Sequence, residues 1–176
     1  IDQAAQPRWG TDTSLLLPLR GLIANAGEAA LAEAEHAAEA LAAATGGDAS
    51  PRWPALSHLF PHRADWAAKA VDLPGLDETG CILVKDSVLP AARFTQAMRR
   101  VRLAVGWWKP SVLLQARLNG EQALEAMAVL LQQSIGDRHS TAEALKILTA
   151  MRVPGLVDAL VDAMDDRDVR AALETL

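Results

Sequence analysis

The sequence predicts an all-α fold, and amino-acid composition is the first reason. Hydrophobic residues make up 51% of the 176 positions, yet the chain has no tyrosine and only two phenylalanines. Strands are enriched in β-branched and aromatic residues, whereas alanine and leucine, which are abundant here, favour helices. Periodicity is the second reason. Phe94, Met98, Val101 and Val105 recur at i, i+4, i+7 and i+11, which is the spacing of one buried helix face.

The amino-terminal half is predicted to contain one long helix among several short ones. A leucine-rich stretch over 13–26 comes first, and the long helix follows over Glu28–Ala44. Its alanines allow a neighbouring helix to approach closely, while its glutamates form a solvated face. The glycine-rich stretch 45–51 is the clearest loop and the expected hinge. Short helices should begin near Pro54 and after Pro61, because proline is favoured in a first helical turn.

The carboxyl-terminal half is predicted to continue as a series of helices. After an expected loop over 72–80, the run Cys81-Ile82-Leu83-Val84 is strand-like but short and without an evident partner. It is therefore a strand, an extended connector or the lead-in to a helix. Asp86 and Ser87 are predicted to cap a helix that extends to about Val105. Further helices are predicted over 109–118, 121–135, 140–151, 154–164 and 167–176.

Length and cysteine content limit the class of protein. A chain of this length favours a single domain over 1–176, with a possible subdivision into 1–80 and 81–176. Cys81 is the one cysteine, so no disulfide framework can form, and the cytoplasm is the expected location. The apolar runs are too short to cross a bilayer, so no membrane association is expected. No signal peptide is evident, and the start at Ile1 rather than methionine is consistent with a piece of a longer protein.

A possible internal sequence repeat lies near the end of the chain. Gly136-Asp137-Arg138 and Asp165-Asp166-Arg167 each precede an Ala/Leu-rich stretch, and their arginines are 29 residues apart. Leu131 and Leu160 share this spacing, which is the size of one helix-turn-helix unit in a stacked array. Ala/Leu-rich helices can also resemble one another through composition alone, without true repetition. Both interpretations predict an antiparallel helical array.

The sequence VPGLVDAL over 153–160, followed by DDRDVRAAL over 165–173, resembles a HEAT-like repeat of the short type. In that family a helix that starts at a proline is followed by an Asp-rich turn, a Val-Arg pair and a second helix. The resemblance is good over 153–176, partial over 122–152 and absent before that, and the partial unit has Ser140-Thr141 in place of Val-Arg. It implies about two HEAT-like helix pairs that follow irregular amino-terminal helices.

The HEAT-like resemblance also implies a recognition function. Stacked helix pairs in that family present an extended face to a protein partner or, less often, to a nucleic acid. Some relatives are enzymes, including lyases that attach bilins and hydroxylases with His-Glu metal pairs. This chain has no His-Glu dipeptide, which argues against hydroxylase chemistry.

A concentration of positive charge marks the segment 85–120. The whole chain has a formal net charge of −5, yet this segment has seven basic residues against Asp86 alone, a net charge of +6. Arginine binds phosphate bidentately and tryptophan stacks on bases, so the segment could bind nucleic acid. An amphipathic helix followed by core tryptophans shows the same pattern, and the acidic chain favours that interpretation. The candidate partner-binding residues are Arg93, Arg99, Arg100, Arg102, Trp107, Trp108, Lys109 and Arg117.

Residues suited to catalysis or metal binding are sparse. His58 and His62 are four apart, but Pro61 lies between them and no third ligand is at a fixed spacing, so surface or capping roles are favoured. Cys81 is predicted to be buried and unreactive beside its apolar neighbours. His139 is predicted to be exposed. We therefore expect no catalytic residue, metal or cofactor.

Three classes of function remain. The leading one is a non-catalytic helical scaffold or adaptor, alone or as one domain of a larger bacterial protein, that binds a protein partner through a helical face. Its exposed tryptophans or leucines would be the hot spots. The second is a small nucleic-acid-associated subunit that uses the basic segment. The third is a helical enzyme or lyase-like subunit with a cleft beneath the loop 46–54.

Overall fold

Helices are the only regular secondary structure in the part of the chain that the structure describes. The computed structural model describes residues 15–101, 105–134 and 137–150, together with Gly155 and Asp158. No strand occurs among them, so the predicted all-α fold class is confirmed. The chain divides into two compact units, which we call unit 1 (Ile1–Ser87) and unit 2 (Val88–Leu176).

Unit 1 contains five described helices. They are α1 (Leu16–Ala24), α2 (Glu28–Ala44), α3 (Trp53–Leu59), α4 (Ala64–Asp72) and α5 (Glu78–Val84). The bounds of α2 are those predicted, and α3 and α4 begin close to Pro54 and Pro61 as expected. A short 3₁₀ turn at Gly47–Ala49 lies within the predicted loop.

The strand-like run Cys81-Ile82-Leu83-Val84 is helical, which selects the helical alternative for this segment. Helix α5 begins at Glu78, so the loop predicted over 72–80 is shorter than expected. Asp77 explains the early start, because its side-chain Oδ1 accepts a hydrogen bond from the backbone N–H of Gly80 at 2.8 Å. That contact is a standard N-cap, which satisfies a donor that the first helical turn leaves without a partner.

Aromatic side chains form the centre of unit 1. The ring centroids of Trp53 and Trp66 are 5.7 Å apart, and those of Phe60 and Trp66 are 5.1 Å apart. These distances are typical of favourable tilted and edge-to-face aromatic pairs. All three rings are buried, and α3 packs against both α4 and α5 around them. Helices α3 to α5 thus form the core on which α1 lies.

Unit 2 contains four described helices in a layered arrangement. They are α6 (Ala91–Arg100), α7 (Val105–Asn119), α8 (Leu124–Ser134) and α9 (Arg138–Ala150), with a 3₁₀ turn at Gly120–Ala123 before α8. Successive helices α7, α8 and α9 pack on one another, and the alternate pairs α6/α8 and α7/α9 also contact. Contacts between both successive and alternate helices are typical of a helical array.

Helix α6 is shorter than predicted at both ends. It begins at Ala91 rather than at Asp86 or Ser87, since Pro90 disfavours a helical conformation for the residue before it. It ends at Arg100, and Val101 is extended. Two residues of the predicted stripe, Phe94 and Met98, are buried on α6 as expected.

The remaining helices of unit 2 differ from their predicted bounds by a few residues. Val105, expected at the end of the preceding helix, is the first residue of α7, which was predicted to begin at Lys109. The predicted helices 154–164 and 167–176 lie outside the described residues, apart from Gly155 and Asp158. The second HEAT-like unit therefore stays a prediction.

Candidate functional site

Four exposed leucines lie on α1 and its N-cap. The exposed fractions are 69% for Leu15, 67% for Leu17, 43% for Leu19 and 71% for Leu22. No residue of α1 is buried. We call these four side chains the leucine surface. Burial of large apolar side chains is the main driving force for association, so such a group on one short helix is a candidate interaction surface.

The orientation of α1 explains why these leucines are exposed. Leu16, Arg20 and Ile23 are the half-buried residues at i, i+4 and i+7, so this stripe faces the rest of unit 1. The helix packs against α3 and, less extensively, against α2. A single inward stripe can bury only part of such a leucine-rich sequence. The remaining leucines therefore lie on the outer and lateral faces.

Helix α2, which follows α1 in the chain, also exposes apolar side chains. It is alanine-rich and buries only Ala38 and Ala42, while Leu41 is exposed. Glu28 and Glu33 are exposed on the same helix. The predicted close approach of a neighbouring helix is possible along its alanines, because small side chains keep helix axes near each other.

Arg63 attaches α2 to the aromatic core of unit 1. Its guanidinium donates to Glu35 at 3.0 Å and to Glu39 at 2.9 Å, both on α2, and to Asp65 at 2.9 Å. Its charged centre lies 4.2 Å from the ring centroid of Trp66, a cation–π contact. Multidentate charged hydrogen bonds of this kind are stronger than neutral ones and fix geometry. Arg63 thus holds α2 in a defined position.

The same network changes the acidity of two carboxyl groups. A hydrogen bond from His62 Nε2 to Glu35, at 2.7 Å, together with Arg63, lowers the pKa of Glu35 below its ordinary value of 4.5. The hydrogen bonds from Arg63 likewise lower the pKa of Asp65. Both carboxylates are therefore charged across the neutral range, and the network is structural in character.

His58 and His62 do not converge on a common site. His58 Nδ1 lies 3.3 Å from the backbone oxygen of Leu83, whereas His62 contacts Glu35 on α2. Burial and, secondly, the charge of Arg20 lower the pKa of His58. Within the described residues no group of three His, Cys, Asp or Glu side chains could hold a metal ion. His62 is exposed as predicted, whereas His58 is half-buried and belongs to the packing of α3 on α5.

Cys81 and His139 lie as the sequence predicted. The Cys81 thiol is fully buried in α5, and His139 is exposed at the start of α9. Asp137 caps that helix, because its carboxylate accepts from the backbone N–H groups of His139 and Ser140, each at 3.2 Å. A further hydrogen bond from the Ser140 hydroxyl is the main reason that the pKa of Asp137 is lowered.

The structure places the predicted partner-binding residues of unit 2 in different environments. Arg93 donates to Gln96 at 3.1 Å, and Arg99 donates to Glu125 at 2.8 Å. Arg100, Lys109 and Arg117 are exposed. These cations therefore lie on the polar surface of helices α6 and α7, as an amphipathic arrangement requires.

Trp108 requires a correction. Its indole is fully buried, with its ring edge-to-face on Phe94 at a centroid distance of 5.6 Å and an interplanar angle of 90°. A ring in that position packs in the core and presents no face to a partner, so Trp108 leaves the predicted partner-binding set. Arg102 and the side chain of Trp107 lie outside the described residues.

An open groove lies between α7 and α9 in unit 2. Its volume is about 420 Å³, and its rim carries charges of both signs. The lining residues are Lys109 and Leu113 of α7 with His139, Ala142, Glu143, Lys146, Ile147 and Ala150 of α9. Because charges of both signs line the groove, it defines no single ligand chemistry.

Comparisons with known proteins found no match. No family model, curated protein or solved structure matches this chain significantly. Among the helices of the described residues, none is long and apolar enough to cross a membrane. The exposure of the α1 leucines was not among the sequence-based expectations. Its signal was present, since the stretch around Pro18 contains more leucines than one face of a helix can bury.

Proposed function

We propose that the chain is a helical module that binds a protein partner through the leucine surface of α1. The observation that supports this proposal is the exposure of four leucines on a single short helix. Complete burial of a leucine side chain is worth about 1.5–3 kcal/mol, so covering four half-exposed leucines would supply several kcal/mol. Removal of that apolar area from water would be the main favourable contribution to the free energy of binding.

The support beneath the leucine surface favours binding without a large conformational cost. Helix α1 packs on α3, which belongs to the aromatic core, and Arg63 fixes the adjacent helix α2. A surface that is already ordered loses less entropy when it binds. This combination of an exposed apolar face and a fixed scaffold is what an adaptor or scaffold module needs.

The other two classes of function have less support from the described residues. For nucleic-acid binding, bases would need an aromatic ring on which to stack, and the ring of Trp108 is in the core. In addition, Arg99 pairs with Glu125. For an enzyme, His58 and His62 have separate partners and Cys81 is buried. Both alternatives stay predictions.

A matched pair of variants tests the proposal. Leu17→Glu combined with Leu22→Glu places charge on both sides of α1, whereas Leu118→Glu alters a leucine of α7 that is 49% exposed. Proteins crosslinked to the full chain in cells are identified and quantified for the wild type and each variant. We expect at least one protein, which can be the chain itself, to be lost from the double variant and retained by the control. Identical sets for all three proteins would refute the proposal.

A further inference from the structure

We propose that the partner of the leucine surface is a second copy of this chain, with α1 of one copy antiparallel to α1 of the other. This inference rests on the proposed function, since it identifies the occupant of the same surface. It follows from the pattern of leucines on α1, from the charges around them and from the position of α2.

The leucines form a stripe that is complementary to itself. Leu15, Leu19 and Leu22 are spaced i, i+4 and i+7, so they lie on one side of the helix. In an antiparallel pair centred on Leu19, each Leu15 faces Leu22 of the second copy, and the two Leu19 side chains meet. A two-fold axis needs such a patch, because the same residues must serve on both sides of the interface.

Charge on α1 is compatible with self-pairing. Arg20 is the one charged residue of the helix, and it belongs to the half-buried stripe rather than to the leucine stripe. Two copies can therefore approach through this stripe without bringing like charges on α1 together. Apolar contact without charge repulsion is the condition for an interface between identical surfaces.

The position of α2 favours the antiparallel over the parallel arrangement. Exposed Glu28, the first residue of α2, comes four residues after the carboxyl end of α1. In a parallel pair these acidic helix starts would lie side by side and repel each other. In an antiparallel pair they lie at opposite ends of α1, which for nine residues is a separation of about 13 Å. That exceeds the screening length of about 8 Å at physiological ionic strength, so the repulsion is small.

The small size of the stripe predicts a weak dimer. Stable protein interfaces bury about 1,200–2,000 Å² in total, and three leucines per copy with their flanks cover less than that. We therefore expect a monomer–dimer equilibrium in the micromolar range rather than a permanent dimer. Since the contact is apolar, its strength should change little with salt concentration.

Leu118 provides a control outside the leucine surface. It is an exposed leucine of α7, with an exposed fraction of 49%. Leu118→Glu therefore introduces the same charge at an exposed leucine outside the proposed contact. Circular dichroism of both variants verifies that α-helical structure is retained.

Sedimentation analysis of the full chain between about 1 and 200 μM tests the inference. We expect concentration-dependent dimerisation of the wild type, weakening of at least about tenfold for Leu22→Glu, and a change within about twofold for Leu118→Glu. A wild type that is monomeric throughout would overturn the inference. Equal weakening by both variants would also overturn it, because the stripe would then not be the contact.

Cysteine crosslinking tests the antiparallel register independently of stability. Because Cys81 is fully buried, an introduced thiol is the accessible one. Leu19→Cys should give a crosslinked dimer with a short bifunctional reagent. A mixture of Leu15→Cys and Leu22→Cys chains should crosslink to each other more than to themselves. Crosslinking of each chain preferentially to itself would indicate a parallel pair and refute the arrangement.

The outcomes separate this inference from the proposed function. If the chain is monomeric but the double variant at Leu17 and Leu22 loses a different protein partner in cells, the inference fails and the proposed function stands. If the chain is monomeric and no partner depends on these leucines, both fail.

Discussion

The two units of the molecule use their large apolar side chains differently. In unit 1 a cluster of aromatic rings forms the core, and four leucines of α1 and its N-cap remain exposed. In the described part of unit 2, Phe94, Met98 and Trp108 are fully buried, and the exposed large apolar residues are Val88 and Leu118, which are far apart in sequence. Isolated exposed apolar residues are normal, whereas a group of them indicates binding.

The two units also differ in how their charged side chains are placed. The most elaborate ion-pair network of the described residues lies in unit 1, where Arg63 contacts three carboxylates and a tryptophan ring. The exposed cations among the predicted partner-binding residues lie in unit 2. The basic segment of this sequence and its strongest candidate for binding are therefore different parts of the chain.

The largest expected effect comes from Trp108, because its ring is fully buried in the core of unit 2. Trp108→Ala removes a fully buried ring that packs on Phe94. Such truncations cost about 3–5 kcal/mol, so we expect a loss of this size in the free energy of unfolding measured with urea. Leu118→Ala, at an exposed position, is the control and should change stability by less than about 0.5 kcal/mol. A neutral effect of Trp108→Ala would place its ring outside the core.

A second prediction concerns the attachment of α2 in unit 1. Arg63→Ala removes hydrogen bonds to Glu35, Glu39 and Asp65, so we expect the free energy of unfolding to fall by about 1–3 kcal/mol. Arg63→Lys should restore only part of this loss, because an ammonium cannot bind several carboxylates in a planar fork. Equal stability of the wild type and Arg63→Ala, measured by urea unfolding, would show that the network is not stabilising.

A third prediction uses the lowered pKa of His58. Burial favours the neutral ring in the folded state, so the unfolded chain binds the proton more readily. The stability contribution is complete above the ordinary pKa of 6.5 and is lost as the pH falls through the lower folded value. We expect urea stability to decrease between about pH 7 and pH 5, with a smaller decrease in His58→Gln. The charges that face His58 are those of Arg20, Lys85 and Asp86.

The wild type is the reference for that pH effect. If His58→Gln and the wild type lost stability in parallel over the same pH range, another group would be responsible.

Most of the helices were predictable from the sequence, because their signals are local. The bounds of Glu28–Ala44 follow from a preceding glycine and a uniform run of helix-forming residues. The state of Cys81-Ile82-Leu83-Val84 stayed open in the sequence, because a short apolar run is compatible with a strand or a helix. Its helical state depends on the cap at Asp77 and on burial against α3, and the second of these is a tertiary contact.

The candidate site was less predictable than the fold, since exposure is a property of packing. The sequence showed many leucines around Pro18, but only the packing of α1 on α3 determines which of them face solvent. The opposite problem affected Trp108, which is adjacent to charged residues in sequence and buried in space. Local charge density therefore pointed to the basic segment, and the arrangement of the helices points to α1.

The smallest expected effect concerns the basic segment and completes the contrast between the units. If the cations of unit 2 serve mainly to solvate helices α6 and α7, the chain should retain neither single- nor double-stranded nucleic acid in filter binding, even at low salt. Retention that falls steeply with salt, and that Lys109→Glu together with Arg117→Glu reduces, would instead assign nucleic-acid binding to this segment. The leucine variants are the matched control, because they alter unit 1 and should leave any such binding unchanged. Binding abolished by the leucine variants would place a nucleic-acid contact on α1 and remove the distinction between an apolar surface in unit 1 and a charged one in unit 2.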